Sequence, residues 1–516
     1  MIPLPAEPSR PASIASVTRS WWRGRKFIGL IVLALAGFFY LGFVRNHSSY
    51  LASNSDASGY YNVARLLRSG ELTQAIPRID GLAPPAWDYF YQQPLGFSVR
   101  AESGTMVTTY PVGLPLHLLA VAPFVGLDYA ALAVNLFLVI AAAWLMITLG
   151  RQIGLTWPWS LASAALLLAC PLFIFFVLQT MSDVCATVWT LAVFCAALQV
   201  RRHWAWGFAA GFAFAMAVLV RPSDLLLIFP VALVLTLNFR GWFAFLAGGF
   251  PGGVFLAWYN LKLYGAILTT GYPSVDHLFS LRFVPHNSAH FALWICALLS
   301  PFVALPALGL PWLFRETRVT AGLLLAWGAV LTGFYVFYFH SGETWWYLRF
   351  ILPMFPAIIF AALLVLRRVT PRLAPARWAH WVPVIVLGAA LAWEITAVQK
   401  LNLALTKESD RAYLHTVRWM QAHAPSNAIV LQMQLSGSFT YYTTFTIVRW
   451  DLLNPAAWNL LHDAARSTGR PIYATLFDFE EPRAFPNPLS GKWERLARIK
   501  QISIWRLVET SPSRDS

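Results

Sequence analysis

Residues 128–150 read DYAALAVNLFLVIAAAWLMITLG, with Arg151 directly after them. No charge falls between Asp128 and Arg151, over about the 20 residues that an α-helix needs to cross some 30 Å of hydrocarbon. The same reading applies outward in both directions. Toward the N-terminus, an apolar run from Phe27 to Val44 follows Arg10, Arg19, Arg23, Arg25 and Lys26. It is longer than the roughly 7–15 residues of a cleaved signal and reads as a retained signal anchor. Toward the C-terminus, spans are expected at 157–177, 183–200, 204–220, 223–239, 242–261, 291–313, 319–339, 350–366 and 378–398, about eleven in all. The whole composition agrees: 58% of the 516 residues are hydrophobic and 12% charged, against about 45–50% and about 25% in soluble domains.

The formal charge of +15 comes without a basic run on a soluble recognition fold, so nucleic acid is not expected as a partner. Topology accounts for the excess. Arg151, Arg201, Arg202, Arg240, Arg315, Arg318, Arg367, Arg368, Arg372 and Arg377 fall, like the N-terminal cations, in alternate loops, whereas the turns near 178–182 and 340–348 hold no Lys or Arg. By the positive-inside rule the N-terminus is expected in the cytoplasm and the C-terminus outside. Cys170, Cys185, Cys195 and Cys296 lie in apolar stretches without CxxC spacing and read as packing residues rather than a disulfide framework or zinc site.

Two outer segments are too long to be connectors. The first, 45–127, opens with a helical pattern in which Asp56, Tyr60, Val63, Ala64 and Leu67 share a face. It closes with Leu114–Val125, expected as an interfacial helix. The second, 401–516, holds 13 Lys+Arg and 10 Asp+Glu, a soluble composition. A helix at 410–423, strands at 428–433 and 446–450, a turn at Ser436–Gly437, a helix at 456–465, a strand at 471–477 and apolar runs at 496–499 and 502–508 imply a small α/β domain. The expected organisation is a basic N-terminus (1–26), an all-α polytopic domain (27–400) and an extracytoplasmic α/β domain (401–516).

Charges in or beside apolar spans are costly and so point to function. Asp56, Asp183, Arg221, Asp224, Lys262, Arg349 and Glu394 all fall on the outer side of this topology. Each has a plainer alternative. Asp56 and Asp183 can cap helices, Asp224 can pair with Arg221 at i+3, Lys262 can snorkel, and Arg349 can anchor the interface beside Trp345 and Trp346. Glu394 can face water at a helix end or pair with Lys400.

The order of motifs resembles the GT-C superfamily of polytopic glycosyltransferases, which includes protein O-mannosyltransferases, lipid A aminoarabinose transferases and RgtA/B/C/D-like bacterial enzymes. The matching stretches are DASGYYNVA at 56–64, YPVGLP at 110–115, Ser182-Asp183, Arg221-Pro222 and RFILPMFP at 349–356. Position 57 is Ala where the mannosyltransferase branch has a second acidic residue, which favours the bacterial envelope branch. The resemblance implies inverting transfer of a hexose or pentose from a polyprenyl-phosphate carrier to an envelope glycan, lipid or protein at the outer face of a bacterial cytoplasmic membrane. Asp56 is then the candidate base, with Asp183 beside it. Arg349, with Lys262 and Arg221, is the candidate phosphate site, and Tyr60 and Tyr110 are candidate substrate contacts. No cofactor is implied with certainty; a divalent metal shared by Asp183 with His277 or His286 is left open. The rival class is a glycolipid flippase or secondary transporter, whose mark would be inverted repeats with charges near mid-membrane.

Overall fold

The computed structural model describes residues 14–272, 276–309, 313–314, 318–373, 378 and 381–508. Arg10, Arg315 and Arg377, residues 310–312 of the expected span 291–313 and residues 379–380 of the expected span 378–398 lie outside the described residues. The chain divides after His47 into two compact units. The first contains helix α1 (Ile14–His47), whose last 17 residues, Ile31–His47, form an apolar helix.

In the second unit, α2 (Ser55–Arg68) is the amphipathic helix expected from its pattern, and α3 (Gly113–Val125) coincides with the expected interfacial helix. Apolar helices follow: α4 (Leu127–Gln152), α5 (Trp157–Ala169), α6 (Pro171–Val177), α7 (Ser182–Gln199), α8 (Trp206–Val220), α9 (Ile228–Leu235) and α10 (Phe239–Tyr264). After them come α11 (Val284–Leu299), α12 (Arg318–Tyr335), α13 (Phe355–Leu373) and α14 (Trp381–Lys400). Buried α7 sits inside the bundle, whereas α10 and α14 leave most of their surface outside it.

The expected count of about eleven spans is not reached among the described residues. Among the described residues six helices are long and apolar enough to cross a membrane, or seven if α5 and α6, bent by 62° at their junction, act as one. The shorter and bent apolar helices have physical reasons. Pro171 opens α6 and cannot continue the hydrogen-bond ladder of α5. At 15 residues, α8 is only some 22 Å long. Pro222 turns the next stretch into a 3-10 helix, Pro222–Leu227, before α9 begins, and α11 ends at Ser300, where φ is +65°.

The first outer segment carries an antiparallel sheet in the order β1 (Thr73–Ala75), β3 (Thr105–Thr108), β2 (Phe97–Arg100). The C-terminal segment is an α/β/α layer. Its sheet runs β5 (Thr446–Val448), β4 (Ile429–Leu431), β6 (Ile472–Phe477), β8 (Ile502–Leu507), β7 (Trp493–Ile499). The β4–β5 and β4–β6 pairs are parallel, and β6–β8 and β7–β8 antiparallel. Period-two alternation splits the strands between two cores. Val430, Tyr473 and Phe477 face α15 (Thr406–His423), while Ile429, Leu431 and Leu476 face α17 (Pro455–Ser467). Ile79 and Trp87 of the first outer segment complete the second core.

Ser436-Gly437, expected as a turn, instead starts α16 (Ser436–Tyr442). Gly437 is there for close approach: a Cβ would run into the Ser58 side chain of α2, and its carbonyl accepts from Asn62 Nδ2 at 3.0 Å. The C-terminal layer thereby holds α2 from behind.

Candidate active site

Asn54 caps α2, its Oδ1 accepting from Ala57 N at 2.9 Å. Asp56 is thus released from the capping role that its position allowed. Its Oδ1 accepts from the Tyr110 hydroxyl at 2.6 Å, and its Oδ2 lies 2.7 Å from an Arg349 terminal nitrogen. Tyr110 reaches this place because residue 59 is Gly; a Cβ there would collide with its ring. Tyr60 stands 5.0 Å from the Tyr110 ring, and its hydroxyl donates to Ser182 Oγ at 2.8 Å.

The cations come from interrupted helices. Arg221 follows α8 in an extended conformation enforced by Pro222. Arg349 sits in a ten-residue 3-10 stretch, Trp345–Met354, unusually long for that geometry. Arg221 donates to the Arg349 carbonyl at 2.8 Å and lies 3.4 Å from Asp183 Oδ1, in the first turn of α7. Arg221 therefore pairs with Asp183 of the neighbouring helix, and the i+3 partner expected for it, Asp224, keeps a buried Oδ2 without a hydrogen bond among the described residues. Both guanidiniums approach the Phe350 ring, at 5.7 and 5.4 Å, and Arg349 also approaches Phe176 at 5.9 Å.

Burial by itself would raise the Asp56 carboxyl. The Arg349 charge and the Tyr110 hydrogen bond outweigh it and hold the group below the usual carboxylate range. Burial in turn keeps the Tyr110 phenol well above its ordinary value, so it stays a donor to Asp56. Arg349 spends one terminal nitrogen on Asp56, yet its Nε is buried with no acceptor among the described residues. A buried donor of a charged group left without a partner is costly, and an oxygen-rich anion would satisfy it.

Two expected members stand apart. Lys262, near the end of α10, is exposed, and its carbonyl accepts from Arg100 at 3.3 Å. Glu394 is not at a watery helix end or paired with Lys400: it is fully buried and neither oxygen has a hydrogen bond among the described residues. His277 is exposed, His286 bonds the Gly342 carbonyl at 3.0 Å, and no group of three His, Cys, Asp or Glu gathers among the described residues. Phe176, Phe350 and Tyr272, whose ring lies 6.2 Å from Tyr110, were not foreseen. Phe350 could have been found as the neighbour of Arg349; Phe176 and Tyr272 lie outside any motif.

A cavity of about 170 Å³ opens against Tyr110, walled by Leu219, Leu225, Leu256, Ile267 and Leu268. A larger one, about 590 Å³, lies elsewhere, against Tyr61 and α15.

No family model and no curated protein matches the chain. Solved structures do. ArnT from Cupriavidus metallidurans bound to undecaprenyl phosphate superposes with TM-score 0.57 at 14% identity, over 94% of this chain and 99% of that one. The Archaeoglobus fulgidus oligosaccharyltransferase tethered to an acceptor peptide gives 0.59 at 11%, over 90% of this chain and 70% of that one. Arabinofuranosyltransferase AftD from Mycobacteria gives 0.51 at 14%, over 93% and 40%. At these identities the likeness is one of fold.

Proposed function

We propose that this chain, which has the fold of the GT-C membrane glycosyltransferases, moves a sugar from a polyprenyl-phosphate carrier to a cell-envelope acceptor, a glycan, lipid or protein. The observation that carries the reading is the buried Arg349 Nε, a spare donor beside a carboxylate that Arg349 itself holds. A carrier phosphate fits that donor, and the apolar cavity beside Tyr110 fits the first isoprene units of its lipid. The two structures whose names include a lipid phosphate or an acceptor peptide suggest the same partners.

The chemistry follows from the pairing. When donor phosphate draws on Arg349, the Asp56 carboxylate loses its ion-pair partner and becomes available as a base. It takes the proton of the acceptor hydroxyl while that oxygen bonds the anomeric carbon. The bond from that carbon to the phosphate oxygen breaks, and its electron pair stays on the phosphate, where Arg349 and Arg221 bear the charge. Tyr110, kept protonated, holds the other Asp56 oxygen in place. Asp183 orients Arg221, and Tyr60 offers a ring face to the sugar. Lys262 is left as an outlying contact of the carrier.

A flippase is disfavoured by the grouping of Asp56, Asp183, Arg221 and Arg349 at helix breaks beside the extramembrane sheets. The proposed setting is a bacterial inner membrane with the C-terminal layer outside. The test is Asp56→Asn in nanodiscs supplied with polyprenyl-phosphate sugars and envelope extracts, following released polyprenyl phosphate by mass spectrometry. Release is expected to fall about 100-fold or more, at the lower end of general-base effects, with the fold intact. Wild-type release from the variant would remove Asp56 as the base; no consumption of any donor by wild type would remove the reading.

A further inference from the structure

The cavity of about 590 Å³ is separate from the face that carries Asp56. Tyr61 lines it, and five residues along a helix place Tyr61 about 140° around α2 from Asp56. Its second wall is α15, where Lys407, Arg411, His415 and Arg418 recur at i, i+4, i+8 and i+11 and so form one stripe, all of them lining the cavity. Arg411 is shared with Glu408 at 2.6 Å, and Lys407 stands 5.7 Å from the centre of the Tyr50 ring. Asp128 is the acidic member of the lining, so cations prevail there.

The third wall fixes the height. Asp128 and Tyr129 belong to the first turn of α4, a membrane-spanning helix, and the half-exposed Tyr129 ring packs 5.4 Å from Tyr50. The cavity therefore opens where a span leaves the hydrocarbon, with aromatic rings at interface level. Ser48, a buried residue of the lining, adds an independent sign: its hydroxyl has no hydrogen-bond partner among the described residues.

We propose that this cavity binds the anionic, phosphate-bearing headgroup of a membrane lipid. The guanidiniums of Arg411 and Arg418 match phosphate oxygens, the tyrosines match the glycerol and interface region, and the Ser48 hydroxyl donates to the headgroup. Bound there, the lipid joins α15 of the C-terminal layer to the end of α4.

The test uses the full chain, purified in detergent and titrated with phosphatidylglycerol or phosphatidylcholine while complexes are counted by native mass spectrometry. Phosphatidylglycerol is expected to bind at least about tenfold more tightly, and Arg411→Gln with Arg418→Gln to remove most of that preference, since each basic residue near a membrane surface is worth about fivefold. Should that double variant not fold, Arg411→Lys with Arg418→Lys, which keeps the charge, is expected to retain the preference, and the single Arg418→Gln to reduce it. Equal binding of the two lipids, or a preference that survives loss of both charges, overturns the proposal. Displacement of phosphatidylglycerol by millimolar inorganic phosphate would make it a free-anion site and overturn the lipid assignment. None of these readouts involves sugar transfer, so this proposal and the transferase reading fail independently.

Discussion

Asp56 is held by two groups of different character, a permanent cation and a neutral hydroxyl, and the place of the hydroxyl depends on a residue with no side chain. Gly59 leaves the space that the Tyr110 ring fills. In Gly59→Ala the ring must move, at an overpacking cost of about 1–3 kcal/mol. The expected result is a modest fall in melting temperature with at least about a tenfold loss of transfer, because the carboxylate loses its alignment. A second carboxylate shows the opposite balance. Burial pushes Asp410, in α15, up to about 6, and the Ser49 and Ser53 hydroxyls beside it offset only part of this. The native state then binds the proton more tightly than the unfolded chain, so stability declines as pH rises from about 4 through 6 and stays reduced above that. Asp410→Asn is expected to raise stability at pH 8, by up to about 3 kcal/mol, and to lose that advantage below pH 4; melting curves across pH measure it. The Asp56 motif was legible in the sequence because its residues are adjacent. Its pairing with Arg349 was not, since nothing local links α2 to a 3-10 stretch so far along the chain.

At the scale of elements, the packing of α8 against α10 rests on glycine. Gly207 and Gly211 on one helix meet Gly241, Gly248 and Gly249 on or beside the facing surface, so closely that added side chains would strike backbone or neighbouring side-chain atoms. In lipid, where apolar burial does not drive helix association, such close approach supplies the contact energy. Gly211→Leu is expected to separate the two helices, lowering the folded yield in detergent and the melting temperature by several degrees, whereas Gly253→Ala, at an open position, leaves both unchanged. Size-exclusion profiles and melting curves distinguish the two. Helix breaks mark the limit of the sequence reading here. Hydrophobicity located nearly every apolar segment, but it does not register where proline converts a span into a bent pair or a 3-10 turn. Those breaks are what deliver Arg221 and Arg349. Ser436-Gly437 misled for a related reason: the pair reads as a turn, whereas the glycine serves contact with α2.

Across the whole molecule, the first outer segment and the C-terminal layer share a hydrophobic core. Trp87, 1% exposed, belongs to one core with Ile429, Leu431 and Trp458, and its indole donates to Gln92 at 2.9 Å. Trp87→Ala is expected to cost about 3–5 kcal/mol and to loosen both segments together. Hydrogen exchange should show α17 and the strand at 472–477 losing protection in step with residues 73–108; loss confined to the loop would make the shared core energetically idle. The sequence indicated both segments and their α/β character, since alternation and charge density are local. That they form one body depends on contacts over most of the chain length, which no periodicity records.

That shared core also sets an order of events during synthesis. More than 300 residues separate Trp87 from Ile429, so at about 5–20 residues per second the ribosome needs on the order of half a minute to supply the partners of Trp87. Until then the loop has an unfilled apolar face, and a chain released early would keep it. A nascent polypeptide of this kind announces its own incompleteness to proteases and chaperones, and only the last sheet to be made withdraws the signal.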